Sequence, residues 1–321
     1  MKPFLQKRLT LIAEIMLGVG CAIALSALRA HAQGINPAPT SRAEMDLFQS
    51  LILGVVQGLT EFIPISSSAH LKVFPEALGW GDPGVTFTAV IQLGSIGAVL
   101  WYFWGDITDL SLGAWQAIKK RDWQDQSWRI SLGIAVGTLP IVFFGFLLKV
   151  LVPDLDNSPI RSLVAIAASS IFMSLLLALA EKIGGRQKDF ETLNTRDGIA
   201  MGFAQVLALM PGVSRSGSTI TAGLFMGLER ATAARFSFLL GIPAITLAGL
   251  VQLKTDVIDV GVSQSEWISL IAGTASSAVF SYLSIAWLLK YLQKQNTWAF
   301  VWYRLGFGVF ILAGLALGWL V

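Results

Sequence analysis

The chain has 321 residues, of which 54% are hydrophobic and only 13% are charged. Soluble domains carry about 25% charged residues, so this composition excludes an ordinary soluble protein and indicates a multi-span α-helical membrane protein. The chain has one cysteine, which excludes an internal disulfide. Its formal net charge is only +3, which gives no reason to expect a nucleic-acid partner.

The N-terminal residues 1–32 have the order of a signal peptide or of an uncleaved signal anchor. Basic residues precede an apolar run over 15–28, and small residues follow it. Glu14 interrupts the start of that run, so the sequence does not decide between a cleaved signal peptide and an uncleaved signal anchor. Residues 33–45, rich in Gly, Asn, Pro and Ser, are predicted to be an exposed linker, and residues 46–321 a single membrane domain.

The stretch GVVQGLTEFIPISSSAHL, residues 54–71, places many polar groups in an apolar segment. Gln57 and Glu61 are four residues apart, hence on one face of a helix that Pro64 ends. Three serines and His70 follow. A polar cluster that only joins helices is the alternative, but so many polar groups are expensive to bury. We therefore predict a functional site here.

A helical hairpin at 46–80 is followed by three apolar segments, and the pattern then recurs. The predicted spans of the first half are 86–104, 130–152 and 160–180. An interrupted segment at 198–231 follows, and the predicted spans of the second half are 234–252, 267–290 and 302–321. GVVQGL at 54–59 matches GFAQVL at 202–207, and PISSS resembles PGVSRS about 148 residues later. An internal duplication is predicted, with repeat 1 at about 46–180 and repeat 2 at about 198–321.

The Lys and Arg residues test this arrangement independently. Suppose that each hairpin enters and leaves the membrane by the same face and that each span crosses it. The segments on one side of the membrane then carry thirteen Lys and Arg residues, and those on the other side carry three. The thirteen lie in the segments 105–129, 181–197, 229–235 and 290–304. The positive-inside rule makes that side cytoplasmic. We predict an all-α polytopic membrane protein with an inverted repeat, each half a re-entrant helix hairpin plus three transmembrane helices.

The segment 105–129 combines three tryptophans with basic residues. It is predicted to be a loop in the headgroup layer, and a partner-binding helix is the weaker alternative. Glycines four residues apart recur in the chain and need only indicate close helix packing. These pairs are Gly133/Gly137 and Gly223/Gly227.

The second interruption, PGVSRSGST, adds Arg215 to its serines. Half-helices that meet inside a membrane present free N–H groups at their N-termini, which suit an anion. The arginine fork matches phosphate oxygens; an Arg215–Glu61 ion pair without a ligand is the alternative. The predicted phosphate-binding hydroxyls are Ser66, Ser68, Ser214, Ser216 and Thr219. Glu61 and Gln57 also offer oxygens to Mg²⁺ or Ca²⁺, although two ligands are few for a metal site.

GVVQGLTEFIPISSSAHL and PGVSRSGSTI resemble the two signature segments of bacterial undecaprenyl-diphosphate phosphatases, the family of bacitracin-resistance membrane proteins. FTAVIQLGSI at 87–96 and RFSFLLGIP at 235–243 support the resemblance, which covers about 46–321. It implies a plasma-membrane enzyme that removes one phosphate from undecaprenyl diphosphate and so recycles a lipid carrier for cell-wall synthesis. It also implies inverted repeats with two re-entrant helix pairs.

The resemblance further implies catalytic roles for Glu61, Ser67, His70 and Arg215. Many members of the family have a second glutamate where this chain has Gln57, which counts against a two-carboxylate metal site. Two routes for in-line displacement at the terminal phosphorus are open. Either Ser67 attacks with His70 as base or acid, or water activated by Glu61 or His70 attacks directly.

The main alternative function is a transporter or flippase of a polyprenyl phosphate or another anion. Inverted repeats with broken helices are typical of transporters, but a nucleophile beside a base favours chemistry. We expect membrane lipids and a polyprenyl diphosphate as partners and leave a homodimer open. The site is predicted to open to the outer, periplasmic face, on the side of His70 and residues 66–85.

Overall fold

A computed structural model describes residues 45–152, 158–258 and 264–320. In this part the chain forms eleven α-helices, two short 3₁₀ turns, one π-helical turn and one isolated β-bridge between Lys188 and Leu228. The helices are α1 (Leu47–Phe62), α2 (Ser67–Ala77), α3 (Gly84–Tyr102), α4 (Trp104–Lys120), α5 (Gln126–Leu151), α6 (Leu163–Ile183), α7 (Thr195–Gln205), α8 (Arg215–Phe225), α9 (Arg230–Gln252), α10 (Gln264–Lys294) and α11 (Trp298–Leu317). The predicted signal segment and nearly all of the predicted linker lie outside the described residues.

Within the described ranges, five helices are long and apolar enough to cross a membrane, namely α5, α6, α9, α10 and α11. A sixth candidate span combines α3 with α4, which are bent by 65° relative to each other. Large apolar side chains such as Phe143, Phe146 and Trp302 are exposed on the outside of the bundle, as lipid contact requires. The prediction of an all-α polytopic membrane protein is confirmed at this level.

The prediction of a loop over 105–129 was wrong, because α4 fills most of it. Ile107, Leu110, Ala114 and Ala117 recur at helical spacing and face the protein. Trp115, Lys119 and Lys120 are exposed on the other face, whereas Trp123 follows the helix and Trp128 lies on α5. Their polarity concealed the apolar periodicity, and buried Phe103 marks the bend from α3.

The two interrupted segments fold as helix pairs, α1 with α2 and α7 with α8. Each pair begins with a capping box, formed by Asp46 with Gln49 and by Asn194 with Asp197. The breaks also share a rare backbone conformation: the serine before α2 has φ 77° and the serine before α8 has φ 73°. Positive φ is uncommon outside glycine and is retained where the surrounding structure enforces it.

The packing of the two halves is reciprocal. Helix α1 packs on α10, whereas α7 packs on α5, so the first arm of each pair lies against a long helix of the other half. Helices α6 and α11 pack together, as do α3 and α9. Gly54 meets the backbone of Gly273, and Gly202 meets that of Gly137, which confirms close packing at Gly137. Gly227 instead lies in a turn, at φ 85°.

Candidate active site

The carboxylate of Glu61, at the end of α1, accepts four hydrogen bonds. Oε1 accepts from Nη2 of Arg215 at 3.2 Å and from Nε2 of Gln92 at 3.1 Å. Oε2 accepts from Oγ of Ser67 at 2.7 Å and from Nε2 of Gln57 at 3.1 Å. Glu61 is buried. The structure therefore brings four of the predicted site residues into one cluster and adds Gln92 from α3.

Arg215 opens α8 and joins the two halves through its ion pair with Glu61. Its side chain is only 8% exposed and lies over the ring of Phe62, 5.8 Å from the centroid. The predicted ion-pair alternative is thus present, but it does not occupy the whole guanidinium. Nη1 makes only a long bond to the carbonyl of Ser237, at 3.4 Å, and the buried Nε–H has no partner among the described residues. Because an unpaired buried donor is costly, the guanidinium is prepared for a further acceptor.

Gly241 on α9 makes room for that guanidinium. A Cβ at this position would meet Nη1 of Arg215 and would lie 2.7 Å from its Cζ. Any side chain at 241 would therefore displace Arg215. The glycine in RFSFLLGIP has a role that the sequence pattern did not reveal.

Ser67 is the first residue of α2, and its hydroxyl points at Glu61. It is partly exposed, unlike the carboxylate it binds. A hydroxyl that donates to a carboxylate at 2.7 Å has its proton directed at a general base. This geometry suits either a serine nucleophile or a serine that orients a ligand.

His70 turns away from Ser67 toward α11. Its Nδ1 lies 2.7 Å from the carbonyl of Ser66, and its Nε2 lies 2.7 Å from the hydroxyl of Tyr303. The ring also stacks on Phe307 at 4.2 Å between centroids. If Nδ1–H donates to the carbonyl, Nε2 accepts from the tyrosine. The predicted pairing of Ser67 with His70 is not among these contacts, since Glu61 takes that place.

The predicted phosphate-binding serines of the first break differ in accessibility. Ser66 is buried, whereas Ser68 is exposed, and their hydroxyls lie 3.2 Å apart. Both stand at the N-terminus of α2, where backbone N–H groups favour an anion. Ser68 is thus the hydroxyl of this break that a ligand reaches most directly.

In the second break the predicted hydroxyls mainly support the structure. Ser214 caps α8 by accepting from the N–H of Gly217 at 3.0 Å. Ser216 donates to the carbonyl of Ile63 at 3.3 Å and so joins the two breaks. The hydroxyl of Thr219 is fully buried and bonds to its own helix and to a serine of α9. Their role toward phosphate stays a prediction.

In the structure both oxygens of Glu61 accept from donors, and the predicted divalent cation stays a prediction. A hard cation takes six or more oxygen ligands, whereas both Glu61 oxygens here accept from N–H or O–H donors. Gln57 presents its amide nitrogen, not its oxygen, to the carboxylate. Among the described residues no group of three His, Cys, Asp or Glu side chains is placed to hold a metal. In this arrangement the donors hold the carboxylate of Glu61 itself.

Arg304 was missed because the predicted loop 290–304 counted it among the thirteen cytoplasmic basic residues. That assignment was wrong: Arg304 lies within α11 and is fully buried. It donates to the carbonyls of Pro64 and Gly212, one in each break, at 3.0 and 2.7 Å. An arginine inside an apolar helix is expensive, and the predicted span 302–321 already contained Arg304, so its overlap with the predicted loop concealed this signal.

A charged cluster outside the long helices fixes the end of the first helix pair. Asp82 binds Nζ of Lys72 on α2 at 2.6 Å and Nη2 of Arg161, before α6, at 3.2 Å. Burial alone would raise the pKa of Asp82, but the charges of Arg161 and Lys72 and the hydrogen bonds from Lys72 and the Gly84 N–H hold it below its usual value. The aspartate therefore stays ionised and joins α2 to the segment before α6.

The chain is similar to a known protein family and to several curated proteins. The family described as bacitracin resistance protein BacA matches residues 50–310. An undecaprenyl-diphosphatase of Trichormus variabilis is 63% identical over 86% of this chain and 86% of its own length. Those of Trichodesmium erythraeum and Synechocystis sp. are 57% and 64% identical, over 92% and 85% of this chain and 95% and 84% of their own lengths.

Proposed function

The chain belongs to the bacitracin resistance protein BacA family, and we propose that it is a membrane-bound undecaprenyl-diphosphatase. It hydrolyses undecaprenyl diphosphate to undecaprenyl phosphate and inorganic phosphate. The observation that carries this proposal is the contact of one buried carboxylate, Glu61, with both a serine hydroxyl and an arginine. Ser67 supplies a nucleophile or an orienting donor, and Arg215 supplies a phosphate-binding fork.

In the reaction the terminal phosphoryl group lies between the N-termini of α2 and α8. Arg215 keeps its ion pair with Glu61 through Nη2, and its Nε–H and Nη1–H groups donate to the phosphate oxygens. The half-helix N–H groups and the exposed hydroxyl of Ser68 contribute further donors. These donors gain strength as negative charge spreads over the oxygens in the transition state.

Ser67 then attacks phosphorus, and its proton passes to Oε2 of Glu61, 2.7 Å from Oγ. The bond from phosphorus to the bridging oxygen breaks, and undecaprenyl phosphate leaves. Water next attacks the phosphoserine and loses a proton to solvent. The bond between phosphorus and the Ser67 oxygen breaks, this oxygen takes back the proton held by Glu61, and inorganic phosphate leaves. In the competing route, water attacks directly with Glu61 as base, and Ser67 only binds phosphate. His70 holds the Ser66 turn in either route.

Two finer parts of the proposal concern the fold and its orientation. The inverted repeat is supported by the matching positive-φ serines, the two capping boxes and the reciprocal packing of the first arms. The protein lies in the bacterial plasma membrane, with the site open to the outer face beside α2. Leu78, half exposed beyond α2, provides the test. A cysteine there, with Cys21 replaced by serine, should react with an impermeant reagent in cells whose outer membrane alone is permeabilised.

Phosphate release by purified protein tests the function and separates it from the transport alternative. With undecaprenyl diphosphate in detergent, wild-type protein should release inorganic phosphate and leave the monophosphate. A transporter or flippase without hydrolytic activity releases none. The predicted Mg²⁺ or Ca²⁺ remains a separate proposal, measured in the same assay by chelation and metal add-back. No release by folded protein under any of these conditions would refute the enzyme assignment.

A further inference from the structure

Arg304 is the largest fully buried side chain of the described residues. Its guanidinium contacts both helix breaks at once. Nη1 donates to the carbonyl of Pro64 at 3.0 Å, and Nη2 donates to the carbonyls of Gly212 and Val213 at 2.7 and 3.0 Å. One side chain of α11 therefore links two loops that are separated by about 148 residues in the sequence.

The bonded carbonyls lie just before the strained serines. Pro64 precedes Ser66 by two residues, and Val213 is followed directly by Ser214; both serines have positive φ. Such a conformation persists only where neighbours enforce it. The next residue after each serine is Ser67 or Arg215, the two groups that converge on Glu61. A shift of either turn thus moves a reacting group.

The guanidinium also lies against the first turn of α8. A Cβ on Gly217 would approach its Nη1 to 3.0 Å, so the glycine allows this close contact. Among the described residues Arg304 has no carboxylate partner. With Glu61 negative and Arg215 positive, Arg304 leaves the buried centre with one excess positive charge. Buried charge without a counter-ion is expensive, and a bound phosphate would supply the missing negative charge.

We propose that Arg304 is a positioning residue that aligns the N-termini of α2 and α8 and whose charge favours an anion between them. The proposal rests on the proposed diphosphatase function. Arg304 makes no contact with substrate in this role, because its hydrogen bonds go to backbone carbonyls. Its effect passes through the two turns that carry Ser67 and Arg215.

Two substitutions separate alignment from charge. Arg304→Lys keeps a cation but loses most of the forked hydrogen bonds, so kcat should fall by at least about 30-fold while KM changes by less than about threefold. Arg304→Gln also removes the charge, so inhibition by inorganic phosphate should weaken in addition. The matched control is Ser174→Ala, which removes a 2.7 Å bond between α6 and α11 away from the breaks. It should keep wild-type kcat and phosphate inhibition.

Each variant is first checked for folding by melting temperature and gel filtration in detergent. Should both Arg304 variants fail to fold, Gly217→Ala takes their place, because its methyl group presses on Nη1 while Arg304 remains. A folded Arg304→Lys, or in its place a folded Gly217→Ala, with wild-type kcat would overturn the alignment. Unchanged phosphate inhibition in folded Arg304→Gln would overturn the charge effect. Wild-type protein inactive in this assay would instead refute the diphosphatase function itself.

Discussion

Gly241→Ala should inactivate the protein without unfolding it. The new methyl carbon would lie 2.7 Å from Cζ of Arg215, whereas carbon atoms pack at about 3.5–4.0 Å. The guanidinium must therefore move by about 1 Å, and a displacement of that size in a catalytic group costs about a hundredfold in rate. That loss corresponds to about 3 kcal/mol of barrier.

The assay is phosphate release from undecaprenyl diphosphate by purified protein, with the melting temperature measured in parallel. Alanine is a better helix former than glycine by about 1 kcal/mol, so Gly241→Ala should melt no lower than about 3 °C below wild type. Gly97→Ala is the matched control, since a Cβ at that position of α3 meets no atom within 4 Å. It should keep full activity. Wild-type turnover by Gly241→Ala would show that Arg215 need not hold its observed position.

Glu61→Ala should abolish hydrolysis, whereas Gln57→Ala should cost less, because it removes one neutral donor to the carboxylate; equal losses in folded protein would contradict this ranking. Ser67→Ala should lose nearly all turnover if Ser67 is the nucleophile, but about tenfold to a hundredfold if it only binds phosphate, and phosphoserine in quenched wild-type reactions would support the first case. Arg215→Lys should insert and fold yet lose at least about a hundredfold in turnover; near wild-type activity would return Arg215 to an ion-pairing role. Because the folded pKa of Asp82 lies below its usual 3.8, its ion pairs stabilise the protein fully above about pH 4 and progressively less as pH falls toward the folded value. Asp82→Asn should therefore lower the melting temperature more at pH 7 than at pH 3, and an equal loss at both would contradict the assignment.

The convergence of Glu61, Ser67 and Arg215 could be predicted from the sequence. Polar residues are rare in apolar segments, and here they cluster at the breaks of both helix pairs. Helical spacing also placed Gln57 on the face of Glu61. Gln92 carried no such signal, since a single glutamine in an apolar span has no local partner to mark it. Its role depends on how α3 packs against α1, which local sequence does not determine.

The direction of His70 depends on a contact between distant parts of the chain. A spacing of three residues places Ser67 and His70 on neighbouring faces of α2, but it does not select the side-chain rotamer. Tyr303, 233 residues away, provides the hydrogen bond that turns the imidazole toward α11. Arg304 was lost for a simpler reason: residues 302–304 belonged both to the predicted last span and to the predicted basic loop, and the arginine was counted only as a loop charge.

The most direct test compares wild-type protein with Glu61→Gln, which keeps the size of the side chain and removes its negative charge. Purified wild type should convert each undecaprenyl diphosphate into one monophosphate and one inorganic phosphate. Glu61→Gln should fold normally but release phosphate at least about a thousandfold more slowly, a barrier increase of about 4 kcal/mol. Wild-type release by folded Glu61→Gln would contradict the assignment of Glu61, Ser67 and Arg215 as the reacting centre.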